Sequence, residues 1–186
     1  TCESDIAAGT ATLGSTCGGD GDIVTTGPTL VSGTAGCDGA IYEITYTVTD
    51  LCGASASCSQ QLTLATTAPV ITCPADATVQ CVGDIIAGTP TSNVGCNNGS
   101  NITTAGPTLI AGNAGCDGAI YEIVYTVTDN CGGAANCTQT FTLNAPAPTI
   151  TCPADATVSC IDDVQAGNAI SSVACGGNGN ITTTSP

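Results

Sequence analysis

Fourteen cysteines and fifteen carboxylates carry most of the chemistry available to this chain, because it contains no Lys, Arg or His. A cysteine becomes a nucleophile when a neighbouring His or cation holds it as the thiolate, and neither group exists here. Zinc is disfavoured too, since no paired Cys-x-x-Cys knuckle occurs: Cys52 and Cys58 are six positions apart, as are Cys131 and Cys137. Oxidation to disulfides remains, and an even number of cysteines per repeat in a Gly- and Thr-rich chain is the signature of a disulfide framework made in an oxidising compartment. Asp117, Glu122 and Asp129 lie close enough in sequence to raise paired-carboxylate hydrolysis. Yet Asp117 sits in a Cys-Asp-Gly turn and Asp129 ends a strand pattern, and both recur at Asp38 and Asp50. Acids duplicated along the chain in this way read as structure, so neither enzymatic activity nor a cofactor is expected. Asp76, Asp84, Asp117 and Asp129 are the weak calcium candidates, as oxygen ligands suit that ion, but no D-x-D-x-D loop gathers them.

The cysteines also set the organisation. Cys2, Cys17, Cys37, Cys52 and Cys58 recur 79 residues later as Cys81, Cys96, Cys116, Cys131 and Cys137, and Cys73, Cys81 and Cys96 recur as Cys152, Cys160 and Cys175. One module with six cysteines is therefore repeated, which places the function in the array before any single residue. The expected divisions are a repeat over 1–65 that lacks its beginning, a complete repeat over 66–144, and one over 145–186 that lacks its end. Starting at the second cysteine of a module and stopping after the third, the chain reads as a window of a longer polypeptide, with any targeting signal outside it.

The elements that must hold these cysteines are strands. Tyr121, Ile123, Tyr125 and Val127 alternate with Glu122, Val124, Thr126 and Thr128, a period-2 strand with its Tyr-Ile-Tyr-Val face toward a core. Cys137 to Leu143 alternates again, with Phe141 and Leu143 inward and three threonines outward. Two prolines confine Val70-Ile71-Thr72-Cys73-Pro74 to an edge strand, and Ala77 to Cys81 resumes it, so Pro74 to Asp76 is expected to switch the strand between two sheets. Between Val82 and Gly112, turn residues such as Asn97-Asn98-Gly99 and Gly106-Pro107 predict three or four short strands. No stretch supports a helix. The fold class expected is all-β: tandem, disulfide-stapled β-sandwiches of immunoglobulin-like size. One Phe and two Tyr in the complete repeat make a thin core, for which disulfides of roughly 2 to 4 kcal/mol each substitute.

The charge of −15 excludes nucleic acid and anionic membrane as direct partners, since both require basic side chains. With only 8% charged residues, the remaining surface is Thr, Ser, Asn, Gln and Gly. Edge strands without Lys gatekeepers leave lateral pairing of copies into a bundle as an open expectation beside a single string of modules. Asn98, Asn101, Asn136 and Asn180 stand in N-x-S/T sequons, which matter only in a host with the machinery.

Two motifs carry a resemblance. The opening Ala-Pro-x-Ile-Thr-Cys-Pro-Ala-Asp-Ala-Thr-Val at 68–79 returns at 147–158, and the closing Tyr-Thr-Val-Thr-Asp-x-Cys-Gly with x-Cys-x-Gln at 125–139 is also found at 46–60. The module resembles the hyalin repeat (HYR), an immunoglobulin-like sandwich found in multiples in extracellular proteins. Its cysteine-rich, Lys-free form is similar to tandem repeats of giant surface adhesins and filaments of gliding or predatory Bacteroidota exported by type IX secretion. The resemblance implies an extracellular, cell-surface structural repeat, a stiff shaft that holds on to surfaces, matrix or other cells. The alternative is a calcium- or glycan-binding module. The partners implied are neighbouring repeats of the same chain, with no insertion into a membrane. In such a sandwich the first and last strands run parallel from one end, which implies Cys73–Cys137. Cys81–Cys116 would close the opposite end, and Cys96–Cys131 would join two loops. By periodicity Cys2–Cys37 and Cys17–Cys52 follow, leaving Cys58, Cys152, Cys160 and Cys175 without partners.

Overall fold

Runs of Thr, Val, Ile and Tyr fit a pleated, half-buried surface, and punctuation by Gly, Pro, Asn and Asp keeps each run short. The computed structural model describes residues 2–14, 22–94, 100–176 and 179–184. Over these residues the chain is all-β, and its only helical pieces are three-residue 3₁₀ turns such as Val82–Asp84 and Ile161–Asp163. The strands are β1 (Ile23–Ser32), β2 (Ile41–Thr49), β3 (Ser55–Thr63), β4 (Val70–Thr72), β5 (Ala77–Val79), β6 (Thr91–Asn93), β7 (Asn101–Ala111), β8 (Ile120–Thr128), β9 (Ala134–Leu143), β10 (Thr149–Thr151) and β11 (Ile170–Ser172).

They form four sheets, ordered β1-β2-β3, β5-β9-β8-β7, β4-β6 and β10-β11. β2 and β3 pair antiparallel without a break from Ile41↔Thr63 to Thr49↔Ser55. β5 runs parallel to β9, with Ala77 opposite Phe141 and Val79 opposite Leu143. β4 pairs instead with β6, so the chain changes sheets across Pro74 to Asp76. By contacts the chain divides into two compact units. One comprises Thr1–Thr72, Thr91–Thr103 and Thr126–Asn136; the other comprises Cys73–Pro90, Thr104–Tyr125 and Cys137–Pro186.

Each core is built by alternation. Ala40, Tyr42, Ile44, Tyr46 and Leu64 are buried in the first unit. In the second, Ala119, Tyr121, Ile123, Tyr125, Phe141 and Leu143 are buried, while Thr138 and Thr142 face outward. The chain's five aromatic rings, Tyr42, Tyr46, Tyr121, Tyr125 and Phe141, are all buried.

The stretch from Val82 to Gly112 departs from the expected three or four short strands. Among its described residues only β6 and the long β7 form. Gly106-Pro107 does not end a strand, because Gly106 takes φ +116° and brings its backbone against β8, where a Cβ would lie 2.6 Å from the Glu122 carbonyl oxygen. Gly27 does the same in β1, with φ +114° and a Cβ position 2.6 Å from the Glu43 oxygen, and there the register with β2 shifts between Thr26 and Thr29. A glycine reads as punctuation in sequence, but at such a bulge it permits close approach without stopping the ladder.

Candidate functional site: the disulfides and the turns that present them

The four aspartates singled out for calcium are each engaged separately by backbone N–H groups. Asp129 Oδ1 accepts from the Cys131 N–H at 3.0 Å and the Gly133 N–H at 2.7 Å, and Asp50 Oδ1 does the same for Cys52 and Ala54 at 2.9 and 2.8 Å. This Asx-type turn fixes the loop that carries the cysteine. Asp84 Oδ2 accepts from the Cys81 N–H at 3.0 Å, while the Asp84 N–H returns to the Cys81 carbonyl, so a second cysteine is posed at the head of a 3₁₀ turn. Asp117 Oδ1 accepts from the Ala145 N–H at 3.0 Å, and its counterpart Asp38 from the Thr66 N–H at 2.8 Å. Asp76 Oδ1 accepts from the Thr140 N–H at 2.7 Å, and this bond, with help from the Thr140 side chain, holds its carboxyl below the usual aspartate range. Among the described residues no three acids or thiols gather into a metal site.

Three disulfides are present among the described residues. Cys73, paired with Cys137 in the expected scheme, is bonded to it across 64 residues. The other two bonds differ from that scheme. Cys81 is bonded to Cys175 and not to Cys116; Cys37 is bonded to Cys131, which excludes both Cys2–Cys37 and Cys96–Cys131. Cys52 is unbonded, so Cys17–Cys52 is not formed, and Cys17 and Cys96 themselves lie outside the described residues. Cys175, expected to stand alone, is the partner of Cys81.

The physical reason is reach. Both unexpected bonds span 94 residues, more than the 79-residue period, so neither fits inside one repeat. Cys37 lies on the turn before β2 and Cys131 on the Asp129 turn, with Cα atoms 5.5 Å apart; Cys81 and Cys175 are 5.2 Å apart. Both separations are ordinary for a disulfide. A groove of about 410 Å³ beside the Cys37–Cys131 bond is lined by Asp38, Thr66, Pro69 and Asp129. Cys52, Cys58, Cys116, Cys152 and Cys160 are unbonded and exposed.

One polar residue escaped the sequence reading. Gln139 is 5% exposed and shares the inward face of β9 with Phe141 and Leu143. Its Oε1 accepts from the Tyr125 hydroxyl at 2.8 Å and the Gly88 N–H at 3.2 Å, and its Nε2 donates to the Ala75 carbonyl at 2.6 Å. The same node recurs in the first unit, where Gln60 Oε1 takes the Tyr46 hydroxyl at 2.8 Å and the Gly9 N–H at 3.2 Å. Alternation alone puts 139, 141 and 143 on one face, so the signal was present in the spacing and hidden by residue type.

Comparison with known proteins adds no relative. No protein-family model matches this chain, and no curated protein matches it significantly. The three disulfides among the described residues are of a kind that forms and persists in oxidising environments. Among the described residues no helix is long and apolar enough to cross a membrane.

Proposed function

We propose that this chain is a structural repeat segment of a long extracellular cell-surface filament or adhesin, a disulfide-reinforced shaft for attachment to surfaces, matrix or other cells. In this reading each 79-residue repeat is an immunoglobulin-like β-sandwich of the hyalin-repeat kind, exported by a type IX route, with neighbouring repeats as its first partners. Support for the sandwich comes from the antiparallel β2–β3 hairpin, the parallel pairing of β5 with β9, and the change of sheet between β4 and β5.

The observation that carries the mechanical part is the 94-residue span of Cys37–Cys131 and Cys81–Cys175, which ties positions in successive repeats together covalently. Through these three bonds alone, a load entering at one end runs from Thr1 to Cys37, across to Cys131, on to Cys137, back across to Cys73, on to Cys81, across to Cys175 and out to Pro186. That path contains about 60 residues, roughly 200 Å at ~3.4 Å per residue, against roughly 630 Å for the reduced chain. These three bonds thus cap extension at no more than about a third of the reduced length even after every strand has pulled apart. Pulling single molecules by their ends tests this. The oxidised chain is expected to stop at or below about one third of the extension of the reduced chain, and equal extensions in the two states would refute the reading.

A further inference from the structure

Residues 145–173 reproduce much of the local structure of 66–94, but without the cover that the earlier segment has. β10 pairs with β11 as β4 pairs with β6, the 3₁₀ turn Ile161–Asp163 matches Val82–Asp84, and Gly167 abuts Pro153 as Gly88 abuts Pro74. Yet Ile150, Val158, Ile161 and Val164 are 59%, 45%, 80% and 45% exposed, whereas their counterparts Ile71, Val79, Val82 and Ile85 are half-buried. No strand forms at 156–158, where β5 would be.

What covers these positions elsewhere in the molecule is consistently one element, the hairpin of β8 and β9 or its counterpart β2 and β3. Val79 lies opposite Leu143 of β9, and Cys73 is bonded to Cys137 of β9. Gly88 donates to Gln139 of β9. In the first unit Ile6, the counterpart of Val164, packs on Ala40, Tyr42 and Leu64. The corresponding groups at the far segment, Cys152, Val158, Val164 and Gly167, have no such hairpin against them among the described residues.

The exposed thiols point the same way. Each of the five is the counterpart, one period away, of a cysteine bonded in this structure: Cys52 of Cys131, Cys58 of Cys137, Cys116 of Cys37, Cys152 of Cys73 and Cys160 of Cys81. They are therefore half-sites of three kinds of bond already formed elsewhere in the chain, and two of them, Cys152 and Cys160, lie within the segment whose apolar residues are exposed.

We propose that residues 149–172 are a docking surface for the Tyr-Ile-Tyr hairpin of a further repeat in line with this one, closed by two disulfides. Cys152 takes the cysteine equivalent to Cys137 on that hairpin, and Cys116 takes the one equivalent to Cys131. Each bond forms as two thiols lose two protons and two electrons to a disulfide-exchanging oxidant of the oxidising compartment, a dithiol–disulfide oxidoreductase or oxidised glutathione. The apolar residues pack on the hairpin's Ala-Tyr-Leu cluster, and its glutamine fills the open Gly167 N–H and Ala154 carbonyl.

This inference rests on the proposed tandem-repeat function, but its test is separate from the pulling experiment on the chain as it stands. The chain is extended after Pro186 by a copy of residues 108–144, which continues the period without a gap, and is oxidised in a glutathione buffer. Alkylation and peptide mapping are expected to find Cys152 bonded to the appended copy of Cys137 and Cys116 bonded to the appended copy of Cys131. Cys52, Cys58, Cys160 and the appended copy of Cys116 stay open. A second extended chain with Cys152→Ser should leave the appended Cys137 copy open while Cys116 remains closed. Cys152 still alkylated in the first chain, or bonded between molecules, would overturn the proposal, with the Cys73–Cys137 bond reporting that the chain has folded. A normal pulling result together with an open Cys152 would discard the docking surface alone.

Discussion

At the scale of single residues, the cysteines and their aspartates form one device. An aspartate two or three positions away holds the backbone N–H of Cys52, Cys81 and Cys131, so that the turn presenting each sulfur is set by a carboxylate. The acids were legible as turn residues from their recurrence, and the turn that Asp50 and Asp129 build is what the motif Thr-Asp-x-Cys-Gly encodes, whereas Asp38 and Asp117 of Cys-Asp-Gly reach segments 28 residues away. Gln139 was not legible, because a buried amide is only visible once the groups it satisfies are in place. Replacing Gln139 with Leu removes the acceptor for the Tyr125 hydroxyl and the Gly88 N–H inside the core. Leaving such donors unsatisfied costs about 1–3 kcal/mol each. Denaturant unfolding of Gln139→Leu is therefore expected to lose at least about 2 kcal/mol, and a loss no larger than that of an exposed Thr142→Ala control would show the node to be dispensable.

At the scale of elements, strand identity followed from period-2 patterning while strand continuity did not. β8 and the inward face of β9 read directly from Tyr121-Ile123-Tyr125-Val127 and Phe141-Leu143, because alternation is a local property. β7 was hidden because its Gly-Pro pair looks like a break, and only the close approach of Gly106 to Glu122 shows how one long strand runs through it. A side chain at Gly106 meets two penalties, the backbone at φ +116° and the carbonyl oxygen 2.6 Å from the new Cβ. Gly106→Ala is expected to destabilise by about 1–3 kcal/mol, the cost of holding a non-glycine residue in a sparsely populated conformation. Gly83, where a Cβ would meet nothing within 4 Å, is the control, and Gly83→Ala should lose far less in the same thermal melt. Equal losses at the two positions would remove the close approach at Gly106 from the account.

At the scale of the whole molecule, the 94-residue reach of two disulfides is the property that the sequence concealed. A 79-residue period is visible by inspection, but a bond spanning 94 residues depends on which loop of the next repeat arrives beside Cys37 or Cys81. Periodicity does not carry that information, since shifting either partner by one period gives an equally regular scheme. Loops of this length make the bonds strongly constraining on the unfolded chain, by about 4 to 5 kcal/mol each in the loop-entropy picture. They also offset cores that depend on five aromatic rings. The most direct test is disulfide mapping of the native, oxidised protein after cleavage beside Asp and Glu, since there is no Lys or Arg to cut at. Fragments joining Cys37 to Cys131 and Cys81 to Cys175, alongside Cys73 to Cys137, are the predicted result. Fragments joining Cys37 to Cys2 and Cys81 to Cys116, with every bond closed inside its own repeat, would contradict it.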